Sequence, residues 1–366
     1  MSLTIATRRA LLSPGKGGGA WCNDPRYLAD GQRPAAIANF RDWRFAITTV
    51  AAGSIPSATA MDLGVMREAT FAEWFSLTAG GYNYIAQDGS EQTAAPNIPR
   101  QDWTNGVRQF KLNGSTTNLL LNSATLATQS VSTSGNIMTL SFYGTGTVTL
   151  SGAVTAAVTG TSATSRTTYS MATPGGSSIT FTPSGTVTRA QFEAQAFASP
   201  YVGTGGGVVA RPAEVAQMAT VPTALLNRTT VTAVARMRPQ FTVPEFPYRA
   251  LIGTAGTYQR IGTSGANNSL AQAYDGKADL TATLGSGGAW MAGVGVACAW
   301  DAAGKSLCGN GGTVTSDTAI PHAWATSWYL GTGTAANTAD GWYDEVVIYP
   351  FRASDAALAQ IASKYP

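Results

Sequence analysis

The chain has 366 residues, enough for two or three cores, with 44% hydrophobic and only 12% charged residues; a globular chain usually carries about 25% charged residues. Ordinary hydrophobicity with a net charge of +3 excludes the strongly charged, apolar-poor composition of a disordered chain and gives no basic surplus for nucleic acid. Forty-one glycines and 17 prolines predict many tight turns and short strands under a coat of Thr, Ser, Asn and Gly.

Residues 1–45 hold the positive excess, +4 against −1 for the remainder, without aromatic interleaving, so they read as a solvated or partner-facing segment. The start, Met1 to Arg9, lacks the basic-then-apolar order of a signal peptide. No apolar run approaches the roughly 20 residues of a membrane span, so no membrane insertion is expected. Gly15-Lys16-Gly17-Gly18-Gly19 lacks the spacing of a phosphate loop. Leu63, Met66, Phe71, Trp74 and Phe75 recur near helical spacing and predict one short helix over 62–76. Tyr82 to Ile85 with Asp88-Gly89-Ser90 reads as a strand and turn, and residues 94–100 as an extended Pro-rich connector.

From about residue 117 to 202 the chain alternates apolar residues with Thr or Ser, as in Thr145 to Leu150 and Ser178 to Thr182. That period marks half-buried strands. Between residues 124 and 189 the only Asp, Glu, Lys or Arg residues are Arg166 and Arg189, so this sandwich has little with which to move protons. The order Phe71-Ala72, Tyr84-Ile85, Asp88-Gly89, Ala95 to Arg100, Leu112-Asn113-Gly114 and Thr117 to Ser123 resembles a module of tailed-bacteriophage virion proteins that leads into a small jelly roll. The close at Val187 to Ala194 is similar to that family's terminal strand, while Lys111-Leu112-Asn113-Gly114 departs from it by lacking a Val-Glu pair.

Gly203 to Gly207 reads as a linker. Strands are predicted at 231–237, 249–253 and 259–262, with a turn at 267–269. A hairpin is expected over 294–314, turning at 301–304 and again at 309–312. The finish, Gly341 to Tyr349 followed by a helix capped by Ser354, resembles the concanavalin A-like, laminin-G-type sandwich. The expected fold class is therefore mainly β: two antiparallel β-sandwich (jelly-roll) domains after a mixed N-terminal anchoring region. The division is 1–116 for the anchor, 117–204 for the first sandwich and 205–366 for the second.

Three cysteines argue against a disulfide framework, although Cys298 and Cys308 could meet across the hairpin; no C-x-x-C pair suggests zinc. His322 is the only histidine, and Asp344-Glu345, the nearest carboxylate pair, would point to opposite faces of a strand. Neither composes a catalytic site, so no enzyme activity, cofactor or metal is expected. Asp301, Asn310, Asp317 and Asp340 are conceivable calcium ligands without a diagnostic spacing. Trp290, Trp300, Trp324, Trp328 and Trp342 crowd into the last region; exposed, their rings suit stacking on sugars, whereas tryptophan is usually buried. The phage resemblance implies location in the virion. It implies other virion proteins as partners through residues 1–116, a homo-oligomer (a trimer by analogy), and a host surface glycan as ligand. Two other readings stand beside it: a purely structural decoration protein, and an exported glycan-degrading enzyme.

Overall fold

The computed structural model describes residues 20–56, 63, 65–240, 248–255, 260–264, 270–274, 279–284, 293–318, 327–331 and 340–363. They form a mainly β molecule of large antiparallel sheets. The larger sandwich is centred on the strand Gly341–Tyr349. On one side it pairs with Val231–Pro239, which leads to Val294–Asp301, Gly304–Gly309 and Thr315–Asp317. On the other side its two halves take different neighbours: residues 341–343 pair with Gln109–Leu112, and residues 345–348 with Ala36–Asn39. Arg44–Thr48 and Met66–Ala69 extend that edge, giving a ten-stranded sheet with Gln101–Asp102. The facing seven-stranded sheet runs from Asp279–Thr283 through Tyr248–Thr254 and Trp328–Leu330 to Val215–Met218 and Phe75–Thr78.

The run Val346-Val347-Ile348-Tyr349 is continuously apolar because both faces of the central strand are covered. Val346 and Ile348 enter the core between the two sheets with Ala233, Ala235, Leu251 and Ile252. Val347 and Tyr349 enter a second core with Val234, Ala297 and Ala299. The C-terminal helix Asp355–Ala362 closes that second core through Leu358 and Ile361, capped as expected by Ser354, whose hydroxyl accepts from the Ala357 amide at 3.3 Å. Tyr27 and Cys22 cover the same layer from the N-terminal side.

The expected boundary at residue 116 is corrected here. Apart from the separate hairpin at 83–93, the strands between 36 and 112 lie in the same two sheets as strands from 215–349, so the described residues before 116 do not precede the second sandwich as a separate region; they help to complete it. The expected helix over 62–76 is likewise reduced to one turn, Phe71–Trp74, opened by a Thr70–Glu73 capping box. It stops because Phe75–Thr78 is taken up by Val215–Met218 as the edge of the seven-stranded sheet. The hairpin at 83–93, the strands near 231–237 and 249–253, and the hairpin from Val294 to Gly309 lie where the sequence places them; the turn at 267–269 falls outside the described residues. Cys298 and Cys308 sit on adjacent strands, but Cys298 pairs with Leu307 and Cys308 with Ala297. One register step sends the thiols to opposite cores, and all three cysteines are free.

The smaller sandwich is an insertion. Four strands (Gln129–Ser134, Gly175–Ser184, Thr147–Gly152, Ala156–Thr159) face three (Ser162–Ala172, Ile137–Gly144, Thr188–Glu193). Leu140, Phe142, Leu150, Ile179, Phe181 and Phe192 fill the space between them. The chain enters through Thr116–Asn118 and leaves through Val209–Arg211, and these two segments pair antiparallel, Asn118 opposite Val209 and Arg211 opposite Thr116. Entry and exit are thus neighbours in a two-stranded neck. Replacing residues 119–208 with Asn-Gly should close that neck as a hairpin with a two-residue turn and leave one cooperative thermal transition. A fragment of residues 205–366 should give the narrow amide dispersion of an unfolded chain by NMR, because it lacks Ala36–Asn39, Gln109–Leu112 and Phe75–Thr78. A well-dispersed spectrum from that fragment would refute the interleaved architecture.

Candidate functional site

The three expected glycan-stacking tryptophans that the structure describes all point inward, which corrects that expectation. Trp300 and Trp328 belong to the core between the large sheets. Their indole N–H groups donate to the Arg228 carbonyl at 3.3 Å and to Asn227 Oδ1 at 2.8 Å. Trp342 is buried too: it donates to Asp102 Oδ1 at 2.8 Å and carries the Lys111 ammonium over its ring at 4.7 Å. The strand pairing places these rings, because Trp300 lies opposite Val231 and Trp342 opposite Arg238 and Lys111 on interior strands. Trp290 and Trp324 fall outside the described residues, as does His322.

The carboxylates weighed for catalysis or calcium are committed to neighbours. Asp344 accepts from Arg41 Nε at 2.7 Å and Gln109 Nε2 at 2.9 Å, while Glu345 pairs with Arg236. Asp301 accepts from Arg352 at 2.7 Å and the Ala303 amide at 2.8 Å, and Asp317 pairs with Lys305 at 3.0 Å. Asn310 accepts from the Gly295 amide at 2.8 Å and donates to the Leu284 carbonyl at 2.9 Å. Asp340 accepts from the Gly114 amide. These oxygens hold turns and strand ends together.

What the sequence did not single out is a charged cluster beneath Trp342, next to the neck. Arg100 and Glu214 form an ion pair whose side chains are each 2% exposed. Glu214 also accepts from the Asn113 amide at 2.8 Å and from Asn113 Nδ2 at 2.7 Å. Burial depresses the Lys111 ammonium to about 8, against the opposing pull of Asp102. Burial pushes the Asp102 carboxyl up, but Lys111 and the hydrogen bonds from Thr104 and Ile85 outweigh it and hold it below the usual carboxylate range. Arg211 donates through Nη2 to the Gly114 carbonyl at 2.9 Å and lies over the Tyr82 ring at 5.0 Å. A signal for this cluster existed: Arg100 ends the Pro-rich connector, and Lys111 occupies the position where the phage-like pattern is broken.

Beside the cluster, an open groove of about 570 Å³ runs between the neck and the end of the small sandwich's last strand. Thr116, Thr117, Ala210 and Arg211 line one side, and Ala194 and Gln195 the other. The Gln195 side chain crosses the seam, donating from Nε2 to the Ser115 carbonyl at 2.7 Å.

No family model and no curated protein matches the sequence. Solved structures with some likeness are a Trypanosoma rangeli sialidase and the CBM40 module of the Ruminococcus gnavus IT-sialidase bound to alpha2,3 sialyllactose. The first is 16% identical with a TM-score of 0.31, over 40% of this chain and 25% of that one. The second is 18% identical with a TM-score of 0.30, over 37% of this chain and 83% of that one. The match thus spans about a quarter of the sialidase. At these TM-scores the likeness carries no argument about activity or ligand.

Two outcomes test the cluster. Glu214→Gln leaves the Arg100 guanidinium buried without its counter-charge and should lower stability by about 3–5 kcal/mol in urea titration; adding Arg100→Met should restore part of the loss. Equal costs for the single and double variants would show that the ion pair is not what matters. Unfolded, Lys111 keeps its proton until about 10.5; folded, it releases it near 8. Between those values the unfolded state binds more protons, so this residue's contribution makes stability rise with pH, by at most about 1.4 kcal/mol per unit. Between pH 8 and 9 the slope should therefore be less positive in Lys111→Met than in the parent chain. Identical slopes would place the ammonium in water.

Proposed function

We propose that this chain is a non-enzymatic structural subunit of a bacteriophage virion, of fibre or spike type, that holds its β-sandwiches out toward host surface glycans. The observation that carries this reading is the neck. The residues whose order resembles the phage module, Thr117 to Ser123, are those through which one sandwich is held on the other. Asn118 is fully buried there and uses both donors and its acceptor oxygen. Its Nδ2 donates to the Ala190 carbonyl at 3.0 Å and the Val202 carbonyl at 2.8 Å, and its Oδ1 accepts from the Leu120 and Phe192 amides at 3.1 and 3.2 Å. A side chain saturated in this way fixes the display angle of the inserted sandwich. The carboxylates weighed for hydrolysis sit in ion pairs, which supports a scaffold that binds rather than one that cleaves.

Contacts to other virion proteins and to further copies of the chain fall, in this reading, to outer surfaces and sheet edges, because Ala36–Asn39, Arg44–Thr48 and Gln109–Leu112 pair within the ten-stranded sheet. The burial of Trp300, Trp328 and Trp342 favours a second reading, a decoration protein without a ligand. The test uses the whole chain, since the sheets interleave its two ends. On a glycan array and in adsorption to bacterial cells, the display reading expects saturable binding to a subset of glycans or strains. Incorporation into particles with no binding to any glycan or cell would leave the decoration reading standing. Release of reducing sugar that disappears in Asp344→Ala or Glu345→Ala would overturn both.

A further inference from the structure

Among the described residues, the buried side-chain polar atoms without a hydrogen-bond partner are Asn113 Oδ1, Arg166 Nε, Gln195 Oε1, Arg211 Nε and Nη1, and Gln240 Oε1. Folded proteins leave few such atoms, and each needs an account. These are not scattered. Four of the five side chains have a carbonyl partner in one seam: Arg166 donates to the Ser199 carbonyl, besides the Ser141 hydroxyl at 2.6 Å, Gln240 to the Ala198 carbonyl at 3.2 Å, Gln195 to the Ser115 carbonyl at 2.7 Å and Arg211 to the Gly114 carbonyl at 2.9 Å. The seam joins the two sandwiches at the neck, where the 570 Å³ groove opens.

Two of the side chains line that groove, Arg211 and Gln195. Arg211 is 3% exposed, and no carboxylate lies within ion-pair distance of it among the described residues, whereas neighbouring Arg100 has Glu214. A buried guanidinium with unused N–H groups and no counter-charge is costly to maintain, and a carboxylate is the group its planar donors fit. Gln195 Oε1 needs the opposite, a donor such as a hydroxyl. A carboxylate and hydroxyls on one ring describe an acidic sugar.

We propose that this groove is the binding site for an acidic saccharide residue, whose carboxylate accepts from Arg211 and whose ring hydroxyl donates to Gln195. The proposal rests on the glycan-binding reading and moves the site from the tryptophans to the neck. The unpartnered atoms are shielded from bulk water, so entry opens the hydrogen bond from Gln195 to Ser115, while the second side-chain bond across the seam, from the Thr116 hydroxyl to Glu193, stays closed. Thr117 then supplies a hydroxyl on the opposite wall, while the small side chains of Ala194 and Ala210 leave room for a ring.

The experiment is calorimetric titration of the full chain with trigalacturonate, sialyllactose and, as the neutral control, lactose. At least one acidic saccharide should bind at least about tenfold more tightly than lactose, the size expected for one charge-assisted contact. Arg211→Gln should weaken that binding by at least about tenfold. Because Arg211→Gln also disturbs the seam, Ala210→Trp serves as the second variant: it fills the groove from its exposed rim, should keep the parent melting temperature and should abolish binding. Acidic saccharide binding that survives Ala210→Trp overturns this site while leaving glycan binding by the chain intact. Lactose binding as tightly as the acidic sugars overturns the carboxylate. If no saccharide binds and the seam holds water only, the proposal falls; binding of other glycans on the array would then keep the broader reading alive.

Discussion

The fold depends on what happens at Asn118. A chain that leaves one β-sandwich to build a second must return beside its point of departure, or the first sandwich stays incomplete. Here the departing and returning segments are hydrogen-bonded to each other, Asn118 opposite Val209, and the side chain of Asn118 bonds the last strand of the insertion and the segment that follows it. Four hydrogen bonds on one buried amide leave it no competing arrangement, and an aliphatic residue in that place would strand two backbone carbonyls and two amides at once. Ser123, Tyr201 and Thr204 repeat the device one turn further on: the Ser123 hydroxyl meets the Tyr201 hydroxyl at 2.8 Å and accepts from the Thr204 amide at 2.9 Å. The exit is thereby sewn to the entrance over several residues.

This arrangement sets where polar groups accumulate. Within each sandwich the layers meet mainly through apolar side chains, and packing between sheets such as Phe181 on Phe192 at 4.8 Å sets their spacing. Between the sandwiches, side chains bond to loop carbonyls instead. Glu193, fully buried at the end of the insertion, accepts from the Gln191 side chain at 2.7 Å, the Ser199 amide at 2.9 Å and the Thr116 hydroxyl at 2.7 Å. Polar networks of this kind specify one geometry more than they add stability. They suit a joint whose task is to hold an angle. Further out, Arg189 stacks on Tyr143 at 3.6 Å and pairs with Glu91 at 3.0 Å, bracing the insertion against the 83–93 hairpin.

The sequence revealed the strands because their period is local. Thr147 to Leu150 alternates regardless of what lies across the sheet, and Val346 to Tyr349 announces a strand covered on both faces. It hid the partition into domains because pairing is not local: nothing in Ala36 to Asn39 says that its partner is 300 residues away. Composition placed a boundary at the glycine run 203–207, where the structure has only the return path into the neck. The helical spacing of Leu63, Met66, Phe71 and Trp74 misled for a related reason. These residues serve different layers, Met66 in the outer core and Trp74 in the inner one, so their common period did not reflect a common face.

The candidate site was hidden more deeply. Exposed tryptophan is a sound guide to sugar binding only where the strands carrying it lie at a surface, and Trp300 and Trp342 belong to interior strands. The informative residues were instead four buried charges in or next to short strands near the neck, Arg100, Lys111, Glu214 and Arg211, in a chain with only 12% charged residues. In such a composition a charge inside a strand is seldom idle. Arg100, Lys111 and Glu214 neutralise one another or meet Asp102, and those contacts account for their burial. Arg211 has the Gly114 carbonyl and the Tyr82 ring but no anion. Arg211 has no opposite charge within ion-pair distance among the described residues, and of these four charges it is also the one that lines the groove, so burial of its guanidinium is the cost that the neighbouring contacts leave unmet.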